Sequence, residues 1–369
     1  MGHAGRGPGL RGAVERRGPR TDRGHHRVRS PSRSAVTGRF VGRWAVDTVA
    51  VLLAMSVGTF ALILLARGDP AALLAATRAG RPATPEQIEA VRVELGLDDP
   101  APVRYLRWLA DVLTGDFGLS LRTNTPVGPE VADRLSVSLA LVAGSALIAL
   151  VVGVAVGVAG AVLPRGVLRG ALRFGALLVT SVPAFWLSYL MVLFLALRLH
   201  LVPTSGMGGP ATWLMPMTVL GLPAAGILSR VVAITLREAL DQPYVRAAQA
   251  RGSGALSIVL RDGLPNAAGP ILSVAGFGIG NILVGTVVVE QIFGWPGLGA
   301  YFVHAAGARD VPALQASVLL LGGGFILANR TADVLQGLID PRSRRGAEEV
   351  AGRVKGRRPL AARLRRRAS

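Results

Sequence analysis

The sequence has no cysteine, five histidines and a single lysine, Lys355, in 369 residues. Without thiols, a disulfide framework, a thiolate metal site and a cysteine nucleophile are all excluded. The histidines form no cluster: His3, His25 and His26 lie near the N-terminus, and His200 and His304 stand alone. The lone lysine sits in Val354-Lys355-Gly356, whereas a phosphate-cradling loop needs a glycine-rich turn ending in Gly-Lys-Ser/Thr. ATP hydrolysis by that route is therefore not expected of this chain. Charge is scarce as well. Only 17% of the residues are charged, against about a quarter in a soluble domain.

What fills the sequence is apolar. Hydrophobic residues make up 51% and mean hydropathy is +0.46. A helix rising about 1.5 Å per residue needs roughly 20 apolar residues to cross a bilayer core of about 30 Å. Six stretches are read as spans: Thr48 to Ala66, Leu135 to Pro164, Phe174 to Leu197, Trp213 to Leu236, Gly263 to Val289, and Val311 to Asn329 with an extension to Leu338. Lipid offers no partners for backbone N–H and C=O groups, so the spans are expected as helices. The first run is too long for a signal-peptide core and lacks a small-residue cleavage site, so it is read as an uncleaved helix.

The net charge of +19 is concentrated at the ends. Arg16, Arg17, Arg20, Arg23, Arg27, Arg29, Arg33, Arg39 and Arg43 precede the first run, Arg165, Arg169 and Arg173 follow the second, and Arg363, Arg365, Arg366 and Arg367 close the chain. In a six-helix topology these segments share one side, which the positive-inside rule makes cytoplasmic. Both termini are then cytoplasmic in a multi-pass protein of the cell membrane. Residues 1–38 are rich in Arg, Gly, Pro and Ser, with no aromatic residue before Phe40. They read as a disordered tail attracted to anionic lipid, without the stacking platforms that nucleic acid would need.

The expected organisation is all-α: a basic tail over 1–39, a first transmembrane helix over 40–67, an external helical insertion over 68–134, a five-helix core over 135–338, and a second basic tail over 339–369. In the insertion, Thr84-Pro85-Glu86-Gln87 reads as a capped helix start, with Ile88, Val91 and Leu95 on one face and Gly96 as its stop. A second amphipathic piece carries Val103, Leu106, Leu109 and Leu113. Within the core, the cytoplasmic segment 237–266 holds a short helix starting after Asp241, with Pro243 in its first turn and Gly252 at its end. Ala247 and Ala248 would form a smooth patch flanked by Arg246 and Arg251, suited to a groove on another protein. Ser181, Trp186, Ser188 and Asn281 are polar or amphipathic groups inside apolar runs, which either face a cavity or bond between helices. Gly276, Gly278, Gly280 and Gly285 read as close-packing positions. Glu290, at the outer end of the fifth run, either snorkels to water or takes part in gating.

Ala247, Ala248, Gly252, Leu264 and Pro265 together resemble the EAA loop of binding-protein-dependent ABC importer permeases. Arg246 replaces the Glu of the general pattern, and Asp262 replaces a frequent Ile. Arginine within Tyr244-Val245-Arg246 is similar to the dipeptide, oligopeptide and nickel class. Further segments resemble that class in order and spacing: Gly68-Asp69-Pro70, Leu95-Gly96-Leu97-Asp98, Gly115-Asp116-Phe117-Gly118, Ser181 to Leu187, Val287 to Glu290, Phe293 to Gly299, and Asp340-Pro341-Arg342. The resemblance implies a six-helix, type I ABC importer permease that carries a long external insertion. It implies a role in the translocation path, most commonly for di- and oligopeptides, with gating favoured for Glu290. Tyr244, Arg246, Ala247, Ala248, Arg251, Gly252, Leu264 and Pro265 would couple it to a cytoplasmic ATPase, Arg246 and Arg251 pairing with acidic residues there. The expected partners are a second related permease, one or two ATPases, an external substrate-binding protein and membrane lipid. No cofactor is expected on this chain, ATP-Mg being held by the ATPase. The competing reading is an ATP-independent secondary transporter or channel, against which the near absence of charge inside the spans counts.

Overall fold

The computed structural model describes residues 33–65 and 69–339, and its named elements are helices. Gly68, the Asp340-Pro341-Arg342 sequence and nearly all of the two basic tails lie outside the described residues. Helix α1, Arg33–Leu65, starts inside the segment expected as tail. It runs unbroken from Arg33 into the apolar stretch.

The segment expected as the external insertion folds as three short helices. In α2, Pro70–Ala79, the Asp69 carboxylate accepts from the Ala71 N–H at 3.0 Å. In α3, Pro85–Glu94, the expected capping box forms: Gln87 N–H donates to Thr84 Oγ1, and Thr84 N–H donates to Gln87 Oε1 at 3.0 Å. Gly96 follows with φ +58°, in the left-handed region that ends helices. Leu74, Ala75, Val91 and Leu121 close a small core between these elements. The third helix, α4, Ala101–Thr114, leaves Leu106 and Leu113 exposed and only Leu109 of its leucines half-buried. It docks through aromatics instead, with Tyr105 and Trp108 against Phe60 of α1 and the Tyr105 hydroxyl 2.8 Å from Ser56 Oγ.

Among the described residues, four helices are long and apolar enough to cross a bilayer: α5, Val127–Val162; α8, Pro210–Leu240; the continuous segment Ala255–Phe293; and Val311–Ala332 of α13. The apolar part of α1, Ala45–Ala61, is shorter. The third expected span is broken. Its halves are α6, Val167–Ser181, and α7, Ala184–Met191, which continues as a π-helical turn to Arg198; they diverge by 105°. Val182 precedes Pro183, and a residue before proline is pushed out of the helical region, here to φ −88°, ψ 124°. Ser181 to Leu187 therefore straddles a corner rather than lying within one helix.

The remaining elements are α9, Pro243–Ala250; the short α10, Ala255–Ser257; α11, Leu264–Phe293; α12, Leu298–Ala308; and α13, Val311–Ile339. Helix α12 lies between the last two expected spans, where the sequence pattern predicts no separate helix. The bundle centres on α5 against α8, where small residues let backbones approach. A methyl on Gly157 would meet Val232, and one on Gly221 would come within 2.7 Å of the Ser145 carbonyl. Gly276, Gly280 and Gly285 likewise abut Ala332, Asn329 and Leu220, whereas Gly278 faces open space. Trp295 is buried edge-on to Trp213, ring centres 4.6 Å apart.

Candidate functional site

Helix α9 is built from a strong local signal. Gln242 adopts an extended conformation, Pro243 occupies the first turn, and Gly252 takes φ +83° past the end. Consecutive residues on a helix point about 100° apart, so the alanine pair divides. Ala248 is 1% exposed and packs with Val245, Ile258 and Leu240, while Ala247 faces outward. The expected two-alanine patch is thus one anchor and one exposed contact. Arg246 and Arg251 are also exposed, with no carboxylate partner among the described residues.

Tyr244 ties α9 back to the bundle, its hydroxyl donating to the Ala239 carbonyl at 2.9 Å. Burial of the phenol, with Asp262 near it, raises its pKa. Segment 237–266, expected as one loop, is mostly helical. Its first residues finish α8, and from Ala255 it runs helically into α11. Leu264 opens α11, half-buried beside Ala239 and Val232, and Pro265 is exposed in its first turn.

At the opposite end of α11 the chemistry is reversed. Glu290 is 0% exposed, so it does not snorkel. Its carboxylate accepts from Ser138 Oγ of α5 at 2.6 Å and from the Ala300 N–H at 2.9 Å. A carboxylate in the last turn of its own helix is disfavoured by the helix dipole, and the N-terminus of α12 supplies the compensating donors. Ser138 Oγ also accepts from the Leu298 N–H at 2.8 Å. Gly297 and Gly299 leave the room: a side chain at either would strike the carboxylate. The Phe293 to Gly299 sequence is therefore the turn that wraps α12 around Glu290.

A second buried carboxylate, Asp310, joins the insertion to this end of the bundle. It accepts from Ser120 Oγ and from the Leu121 N–H at 3.1 Å. Beside it Tyr301 lies 4.6 Å under the Arg134 guanidinium, which also pairs with Glu130 at 2.8 Å. Burial, then the Glu130 and Asp310 charges, hold the Tyr301 phenol above its usual pKa. Sequence reading missed Ser138 and Asp310. The only signal was the presence of two acids beside apolar runs, which names no partner.

The other expected path residues are scattered. Ser181, Ser188 and Asn281 each bond to the carbonyl four residues earlier in their own helix, at Leu177, Ala184 and Phe277. Within this chain each of these donors is satisfied by its own helix. Ser188 is fully buried, whereas Ser181, Asn281 and Trp186, 54% exposed, lie on the surface of this chain.

Comparisons with known proteins place this geometry in a family. Residues 149–345 match the family model described as binding-protein-dependent transport system inner membrane component, and residues 37–142 match its N-terminal companion. A protein of Sinorhizobium fredii named "Probable peptide ABC transporter permease protein" is 33% identical, over 83% of this chain and 99% of its own. A glutathione transport system permease protein of Salmonella paratyphi A is 36% identical, over 83% of this chain and 98% of its own. One solved structure, of a methionine ABC transporter in inward-facing conformations, aligns at 19% identity and a TM-score of 0.48, covering 57% of this chain and 96% of that one.

Proposed function

The chain belongs to the family of binding-protein-dependent transport system inner membrane components, and from this premise we propose how it works. It is the membrane-spanning permease subunit of an ATP-driven importer for peptides, the cargo named for its relatives. A separate cytoplasmic ATPase supplies hydrolysis, a second permease completes the path, and an external binding protein delivers substrate. The α1 apolar segment and the bent α6–α7 pair complete a six-span topology with both termini cytoplasmic. Ser181, Trp186 and Asn281 then face the second permease or the path between the two. The Glu290 junction holds α12 as part of the outer gate.

The observation that carries this reading is α9. It is anchored by Val245 and Ala248 yet presents Ala247 between two unpaired arginines. A helix of that design fits a groove with acidic walls on the ATPase, where its displacement is transmitted to the bundle as a rigid-body switch.

The cysteine-free chain allows a direct test. Ala247→Cys should form cross-links of ATPase size in membranes holding the whole complex, while Ala248→Cys should not. A fully maleimide-reactive Ala247→Cys that yields no cross-link to any nucleotide-binding subunit would overturn the assignment.

A further inference from the structure

Helix α6 carries a concentration of charge that coupling and gating leave unused. Arg169 and Arg173, four residues apart, share one face of the helix, and Arg165 in the turn before it lies close enough for its charge to act on Arg169. No acidic residue occurs from Leu163 to Ser181. Arg237, in the last turn of α8, adds a fourth guanidinium. It donates to the Gly160 and Ala161 carbonyls at the end of α5, and the charges of Arg165, Arg169 and Arg173 act on it.

None of Arg165, Arg169 and Arg173 has an ion-pair partner among the described residues. The Nε of Arg169 is shut off from solvent and has no hydrogen-bond acceptor. Four clustered like charges repel one another, and an anion among them relieves that repulsion and can take up the open Arg169 donor.

The rest of the same helix identifies the anion. Val167 is 90% exposed, Leu168 63%, Phe174 67% and Leu178 53%, so the arginine cluster shares its turns with uncovered apolar side chains. Helix α6 runs alongside α8, with Ala176, Val179 and Thr180 packed at Gly226 in the middle of that helix, which sets Phe174 and Leu178 at acyl-chain depth. Its basic start stands where α5 and α8 end, at headgroup level for chains that cross the bilayer. We propose that Arg165, Arg169, Arg173 and Arg237 form a binding site for the phosphodiester headgroup of an anionic phospholipid. Free phosphate shares that chemistry but would make no use of the apolar flank. This inference rests on the membrane-spanning reading and is independent of the coupling role of α9.

The test titrates the purified full-length chain in mild detergent with phosphatidylglycerol, phosphatidylcholine or inorganic phosphate, and counts adducts by native mass spectrometry. Phosphatidylglycerol should bind preferentially, and Arg169→Gln with Arg173→Gln should weaken its first adduct by about fivefold per guanidinium removed. Arg169→Lys with Arg173→Lys should retain the preference, which separates charge from folding. Arg81→Gln, a loss of charge in the insertion, should change nothing. Equal binding of the two lipids, or an unchanged Gln double variant, would overturn the site. So would phosphate competing as well as lipid, which marks a small-anion site. If the Gln pair keeps its lipid but loses co-purifying ATPase, the cluster is a protein contact and the proposal fails.

Discussion

The two ends of α11 treat charge in opposite ways. At one end Glu290 is fully buried and bonded to Ser138 and to the start of α12, and nearby Asp310 is bonded to the insertion. At the other end Arg246 and Arg251 stand exposed, without an ion-pair partner among the described residues, on a helix held by a handful of apolar contacts. Groups satisfied within the chain complete its own fold. On the proposed coupling role, the groups left open on α9 are completed by another molecule, and the difference then separates a structural junction from a docking surface.

The comparison is broken most severely by Glu290→Ala. Removing the carboxylate strands the Ser138 hydroxyl and the α12 amides in a sealed site, costing roughly 2–4 kcal/mol. Thermal unfolding of the solubilised chain should show it, with Glu290→Gln intermediate; an unchanged midpoint for the alanine variant would remove the junction's structural role. Asp310→Ala should cost about 1–3 kcal/mol by freeing Ser120 and the Leu121 N–H. Limited proteolysis should then cut the insertion faster, while the α5–α8 core stays protected.

The docking end should respond in the other sense. Arg246→Glu is expected to leave stability within about 0.5 kcal/mol. Coupled peptide uptake in proteoliposomes of the whole complex should fall at least about tenfold, the equivalent of about 1.4 kcal/mol. Full coupled uptake would show that α9 does not read an acidic surface.

The smallest effect concerns the exposed pair Arg78–Glu94, 2.6 Å apart in the insertion. The guanidinium holds the Glu94 carboxyl below its ordinary pKa. A depressed carboxylate stabilises the fold above its unfolded pKa, and that contribution disappears as pH falls through the lowered value. Being largely in solvent, the pair is worth less than about 1 kcal/mol. Arg78→Gln should therefore narrow the stability gap between neutral and acidic buffer by that amount, and a wider gap would refute the pairing.

Local devices are legible in the amino-acid sequence. The Thr84–Gln87 capping box, the proline and glycine bracketing α9, and the long apolar runs each depend on residues a few positions apart. The corner at Val182-Pro183 is less so, because hydropathy adds up side chains and takes no account of a backbone restriction inside an apolar run. Ser188 and Asn281 look like path residues because their types are rare in lipid. Back-bonding within one helix is a local alternative that residue type cannot distinguish from an interhelical contact.

By itself, then, the amino-acid sequence determined that this chain is helical, membrane-spanning and free of thiol chemistry, because composition and near-neighbour spacing set those properties. It also determined the family, through motifs whose order survives without coordinates. Only the tertiary structure decided what its few buried charges do. Glu290 meets a serine 152 residues away, Asp310 meets a backbone amide 189 residues away, and Ala248 turns inward while Ala247 turns out. Contacts of that range depend on how the helices pack, and no local pattern in the chain encodes them.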